Sequence, residues 1–272
     1  MPEADAIARS TRGPVTAEML TDDLASLGVA QGMTLLVHAS LSSLGWVCGG
    51  PQTVVVALQT VLGDEGTLVV PTHSGANSDP AEWVSPPVPE QWWPTIRAAT
   101  PAFDAHLTST REMGALSDCV LRLPDMRRSE HPQVSFAAWG RQAAAVTAGH
   151  RLDDRLGRES PLGRLYDLDG WVLLLGVGHD RNTSLHLAEY AATWPSKHYK
   201  NYGAAVGAEG SRRWTTFTDV DIEDSDLSEI GAAFEAASGT ARRGRVGHAT
   251  ATLMPQRPLV DFAVAWMTDN RS

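Results

Sequence analysis

Three short runs constrain this chain most: Thr34–His38 (TLLVH), Thr67–Pro71 (TLVVP) and Val172–Leu175 (VLLL). Each is apolar almost throughout and shows no alternation of apolar and polar residues. Such runs suit strands buried on both faces, and these require helices above and below the sheet. The intervening pattern supplies helices. Thr16–Leu27 carries apolar residues at helical spacing, and Pro51–Leu62 has a proline near its start and Val/Leu spacing of the same period. Gly28–Gly32 and Gly63–Gly66 read as turns. Strand, loop, helix and strand form the βαβ grammar of parallel pairing. Further on, Met113–Leu123 reads as helical and Ala137–Ala148 holds another apolar stretch. Trp214–Phe217 and Ala249–Leu253 suit antiparallel strands, with Ser225–Ala237 helical between them. The expected fold is α/β, with a mainly parallel central sheet flanked by helices and a smaller antiparallel element in the C-terminal half. No repeat, low-complexity tract or linker divides residues 1–272, so a single domain is expected.

The 43% hydrophobic content is ample for a large core. No run approaches the roughly 18 apolar residues of a membrane span, and the opening MPEADAIARSTRGPVT has no signal-like apolar segment, so a cytoplasmic location is expected. Cys48 and Cys119 fit neither a disulfide framework nor a zinc-ligand spacing. With 32 acidic against 22 basic side chains and a net charge of −10, a nucleic-acid partner is disfavoured and a cationic one favoured. Six carboxylates crowd into Thr218–Glu229 (TDVDIEDSDLSE). That run fits a solvated loop with helix-capping aspartates, or a field that recruits a polycation.

The segment Leu173–Tyr190 (LLLGVGHDRNTSLHLAEY) carries the sharpest chemistry. It reads as strand, polar turn and helix, with His186 and Glu189 one turn apart on one helix face. A carboxylate beside an imidazole fixes its tautomer and supports its charged form, which is the equipment of a general base near neutral pH. The same spacing also occurs on ordinary solvent-facing helices. His38–Gly45 (HASLSSLG) follows the first strand, where parallel sheets open onto a crevice. Its serines and backbone N–H groups suit either an anion site or a plain turn. Six prolines and three tryptophans between Thr72 and Phe103 exclude regular structure over most of that loop and place it beside a ligand. Gly-x-Gly-x-x-Gly, Walker, Gly-x-Ser-x-Gly and His-Glu-x-x-His patterns are absent, and no metal is expected. His131 and His248 fit structural roles as well as functional ones.

Several of these pieces, in order, make the chain resemble the aminoglycoside 3-N-acetyltransferases. They are LLVHASLSSLG at 35–45, TLVVPTHS at 67–74, WWPTIRAATPAFDAHLTSTREMGALSD at 92–118, RRSEHPQVSFAAWG at 127–140, SPLGRLYDLDGWVLLLGVGHDRNTSLHLAE at 160–189 and VGHA at 246–249. The resemblance implies acetyl transfer from acetyl-coenzyme A to the 3-amino group of the 2-deoxystreptamine ring of an aminoglycoside, without a covalent intermediate. It casts His186 as general base and Glu189 as its support, with Asn182 and Thr183 shaping the turn. His38, Ala39, Ser40, Leu41, Ser42 and Ser43 become candidates for the coenzyme A pyrophosphate, together with Arg128 and Ser129. Asp180, Asp219, Asp221, Glu223 and Asp224 become candidates for the polycationic acceptor, and His38 and His248 for the pocket wall. A related acetyltransferase acting on another amine, a non-catalytic aminoglycoside-binding protein, and a monomer or homodimer all remain open.

Overall fold

The computed structural model describes residues 3–11, 13–208 and 211–272. Helix α1 (Glu3–Arg9) and α2 (Ala17–Leu27) precede β1 (Thr34–Ala39), α3 (Pro51–Leu62) and β2 (Thr67–Pro71). Thr16 caps α2 by accepting from the Met19 N–H, and Gly28 closes it at φ 106°, a left-handed conformation that glycine adopts without strain. The excursion after β2 contains α4 (Trp93–Ala99) and α5 (Gly114–Val120), then β3 (Arg127–Arg128), β4 (Phe136–Gly140), α6 (Ala143–Thr147) and α7 (Pro161–Asp167). Next come β5 (Trp171–Leu175), α8 (Ser184–Ala191), β6 (Tyr199–Ala208), β7 (Ser211–Val220), α9 (Leu227–Ser238), β8 (Arg242–Val246), β9 (Ala249–Pro255) and α10 (Gln256–Asn270).

Seven strands form one sheet in the order β3-β4-β2-β1-β5-β9-β8, and β6 and β7 form a separate antiparallel pair. The α/β class, the flanking helices and the C-terminal antiparallel pair agree with the sequence. The parallel share is narrower than expected: only β1 with β2 and β1 with β5 run parallel, and the outer pairings are antiparallel. Apolar runs record burial on both faces, whereas direction depends on how the chain returns to the sheet. Strand β9 enters by a tight turn from β8 at Gly247 (φ 58°) and so opposes its neighbours.

Alternate residues of the central strands serve two cores. Leu35, Val37, Leu68, Val70, Leu173 and Leu175 pack on one face with Leu24, Val54, Leu58 and Val120 from α2, α3 and α5. Leu36, Val69, Val172 and Leu174 pack on the other with Val146, Leu162, Leu185, Ile230 and Leu259 from α6 to α10. Each fully buried leucine stabilises the fold by roughly 1.5–3 kcal/mol relative to exposure. This double cover fixes the sheet, and the carboxyl ends of β1, β2 and β5 open together on one side of it. Among the described residues no helix is long and apolar enough to cross a membrane.

Candidate active site

A cavity of about 600 Å³ lies where those three strands end. Strand β1 delivers His38 and Ala39 to its wall, β2 leads to His73, and the turn after β5 contributes Val177 and Asp180 through Thr183, with His186 beyond it on α8. The turn is built by Asn182, which is fully buried. Its side-chain oxygen accepts from the Ser184 N–H at 3.2 Å, and its amide lies 3.3 Å from His179 Nδ1.

The two residues at helical spacing meet as expected. His186 Nδ1 lies 2.6 Å from Glu189 Oε2, the histidine side chain is 12% exposed and the carboxylate 0%. Glu189 occupies Nδ1, so Nε2 is the imidazole nitrogen left for a substrate. The other carboxylate oxygen accepts from Arg271 Nη1 at 2.7 Å and from the Glu223 N–H at 2.8 Å. Arg271 in turn grips Asp226 through Nε and Nη2 at 2.7 Å each and lies over the Trp194 ring. Burial opposes its charge, but the bonds to Asp226 and Glu189 outweigh burial and raise its pKa above the ordinary value. The buried dyad is therefore braced by a cation, which is the condition for keeping a carboxylate ionised away from water.

Neighbouring imidazoles are neutral. Burial first, and the proximity of His186 second, lower the His38 pKa to about 3, and His38 Nε2 lies 3.3 Å from Thr183 Oγ1. Burial likewise lowers His73 to about 3. A second cleft of about 680 Å³ adjoins the first, sharing Val177, and is lined by Arg9, Ser43, Arg243, Arg245 and His248. Arg243 and Arg245 sit two apart on β8 and so project from one face of the strand. His179 borders this cleft paired with Glu235 at 3.0 Å, and a Cβ at Gly231 would collide with its ring. A basic cleft joined to a cavity with a histidine–carboxylate dyad suits a phosphate-bearing donor and an amine acceptor.

The chain matches the family described as aminoglycoside 3-N-acetyltransferase over residues 36–268. It belongs to that family. It is 43% identical over 267 residues to the SPbeta prophage-derived aminoglycoside N(3')-acetyltransferase-like protein YokD of Bacillus subtilis, covering 98% of this chain and 97% of that protein. The YokD crystal structure superposes with a TM-score of 0.95 over 98% of both chains. Aminoglycoside N(3)-acetyltransferase VII of Streptomyces paromomycinus is 40% identical, with 97% of this chain and 95% of that one covered. The structure of AAC-IIIb in binary complex with CoASH is 31% identical with a TM-score of 0.84, covering 94% of this chain and 97% of that one. The chain is thus an acyltransferase.

Within this acetyltransferase the other candidate residues divide. The serine loop does not act as one surface: His38 and Ala39 face the catalytic cavity, Ser43 the basic cleft, and Leu41 and Ser42 a third hollow beside Trp46. Ser40 ties the loop together, its hydroxyl bonding Ser43 Oγ at 3.0 Å and its N–H donating to the Leu175 carbonyl. Arg128 and Ser129 are both buried, with their polar atoms bonded inside the protein. Arg128 donates to Thr72, Ser135, Ala105 and Thr108. Ser129 Oγ accepts from the Phe136 N–H and meets His150. His131 is structural, its Nδ1 accepting from the Gln133 and Val134 N–H groups.

The acidic candidates divide likewise. Asp219 is 3% exposed and accepts from Tyr190 Oη, the Arg155 N–H and the Val220 N–H. Asp221 is held by Lys200 at 3.1 Å and His198 at 3.0 Å. Glu223 serves the dyad through its backbone N–H, and its side chain accepts from Ser225. Asp180 and Asp224 do line the cavity, Asp180 within 3.2 Å of Arg181. Arg155, His73, Glu112 and Arg271 were missed. Glu112 has φ 61°, a left-handed conformation that non-glycine residues hold at a cost, often near functional sites.

Proposed function

We propose that this enzyme transfers the acetyl group of acetyl-coenzyme A to the 3-amino group of the 2-deoxystreptamine ring of aminoglycosides, by direct transfer, and so confers resistance to them. The observation that carries the reading is the His186–Glu189 pair at 2.6 Å, braced by Arg271 at the edge of the catalytic cavity. An ammonium group is no nucleophile until it loses a proton. The amine reacts after its ammonium has given one proton to solvent. As the nitrogen bonds to the thioester carbon, His186 Nε2 takes the further proton that the nitrogen sheds, the carbon–sulfur bond breaks, and the imidazolium passes that proton to the departing thiolate, which leaves as the free thiol. Glu189 holds the imidazole in the accepting tautomer and stabilises its charged form. Arg243, Arg245 and Ser43 fit the phosphates of the donor, and the cleft they line borders the dyad's cavity at Val177. Asp180 and Asp224 supply negative charge for the acceptor's remaining ammonium groups. The whole of residues 1–272 acts as one catalytic unit in this reading.

The test is thiol release from acetyl-coenzyme A with gentamicin, kanamycin and apramycin, with the product assigned by NMR. Acetylation at the 3-amino group is expected, and no release with any of them overturns the proposal. His186→Ala should lower turnover by roughly 10²–10⁴-fold, the range for loss of a general base, while calorimetric coenzyme A binding stays intact. Near-unchanged turnover would assign proton removal elsewhere.

A further inference from the structure

Arg155 is a cation in the wrong place for a site that recruits only cations. It lies between α6 and α7, is 9% exposed, and lines both the catalytic cavity and an adjoining hollow of about 420 Å³ bounded by Glu82, Trp83 and Tyr202. Its backbone is anchored twice, the N–H donating to Asp219 Oδ2 at 2.8 Å and the carbonyl lying 2.7 Å from His150 Nε2. The guanidinium carbon sits 3.8 Å from the centroid of the Tyr202 ring, and Nε and Nη1 are enclosed with no hydrogen-bond partner.

Buried N–H groups without partners are costly, and a guanidinium stays charged and offers no acceptor. The other arginines on these walls are neutralised: Arg111 lies 3.8 Å from Glu112, and Arg181 3.2 Å from Asp180. Glu82 and Asp224 leave the combined space favourable to a cationic acceptor as a whole. At Arg155 itself the fitting group is an uncharged oxygen, because an ammonium there meets repulsion and no acceptor. We propose that Arg155 is a specificity-determining residue that donates to a hydroxyl of the acceptor and disfavours acceptors bearing an ammonium at that position. This rests on the aminoglycoside reading above.

Matched antibiotics isolate the effect, since paromomycin and neomycin differ by a 6′-hydroxyl against a 6′-amine, and kanamycin A and B by a 2′-hydroxyl against a 2′-amine. The wild-type enzyme should favour the hydroxyl member of one pair by about tenfold or more in kcat/KM, the scale at which a built polar contact discriminates. Arg155→Met should abolish that preference, chiefly through the KM of the hydroxyl member. Arg155→Lys, which keeps the charge, should retain disfavour of the amine and guards against misreading a folding defect in the Met variant. A wild type without preference in either pair, or an Arg155→Met enzyme that discriminates as wild type does, overturns the assignment and leaves the acetyltransferase proposal standing. Failure of all four to be acetylated or bound by the wild type, measured by thiol release and calorimetry, overturns both.

Discussion

Glu189 illustrates how a side-chain pair can be legible while its support is not. The three-residue spacing to His186 is local, and a helix turns it into contact at 2.6 Å. The brace from Arg271 crosses 82 positions of sequence and comes from the far end of α10, so no pattern announces it. Arg271→Met strips a buried carboxylate of its cation. It should lower stability by about 3–5 kcal/mol, the cost of breaking a buried pair, measured by urea unfolding. Arg271→Lys should recover only part of that, because a single ammonium cannot reproduce the two-pronged grip on Asp226. Equal stability for the Met variant and wild type would mean that the pair contributes no net energy. The same blindness covers Arg128 and Ser129: the family resemblance makes them candidates for the donor's phosphates, but hydroxyls and carbonyls of the protein take up the Arg128 N–H groups, and Ser129 Oγ accepts from the Phe136 N–H.

The stretch from the end of β7 to the start of α9 divides its carboxylates: Asp219 is buried, Asp221 and Asp226 are half-buried, and Glu223, Asp224 and Glu229 are exposed. Composition displays six carboxylates and cannot tell which are consumed by Tyr190, Lys200 or Arg271; Asp226, at the start of α9, gives its side chain to Arg271 and not to the helix. Two substitutions separate the roles. Asp219→Asn, at a carboxylate that accepts three hydrogen bonds in the interior, should destabilise by about 1–3 kcal/mol in urea unfolding. Asp224→Asn, on the cavity wall and exposed, should leave stability unchanged and raise the acceptor KM more at low than at high salt, since exposed charges are screened. A KM insensitive to Asp224 would remove it from the acceptor site. Among regular elements, the periodic ones were read closely: α3 and β2 match their expected limits, and α2 begins one residue after its cap. Strand β6 (YKNYGAAVGA) escaped notice because its small residues give weak apolar alternation, and α10 because Pro258 reads as a breaker although it falls in the first turn, where no hydrogen bond is lost. The proline-rich excursion lines the outer hollow with His73, Ser78, Glu82 and Trp83.

For the molecule as a whole, burial has a price in acid. Burial lowers the pKa of His38 and His73 to about 3 and of His150 to about 4, and takes His131 well below its ordinary value. The unfolded chain binds protons at these imidazoles from about pH 6.5 downward, while the folded chain refuses them until far lower pH. Their contribution to stability is therefore intact above the unfolded pKa and is lost as pH falls toward the folded values. Each histidine withdraws up to about 1.4 kcal/mol per pH unit over that window. Urea unfolding at pH 7.5, 6.0 and 5.0 should show stability falling steadily, and a stability that rises down to pH 5.0 would contradict four neutral buried rings. At this scale the α/β layering was legible because unbroken apolar runs demand cover on two sides. The antiparallel flanks were not, because strand direction is decided by connections that no single run contains.

The chamber draws its two sides from different parts of the gene. The His186–Glu189 pair and its turn come from 176–191, directly after β5, whereas His73, Glu82, Glu112 and Arg155 come from the long detour between β2 and β5, which touches the sheet only at β3 and β4. Insertions or exchanges within that detour can reshape what the enzyme accepts while the sheet register and the imidazole stay where they are. One wall of the chamber can thus change its side chains by revision of a single stretch of sequence, while the opposite wall stays as it is.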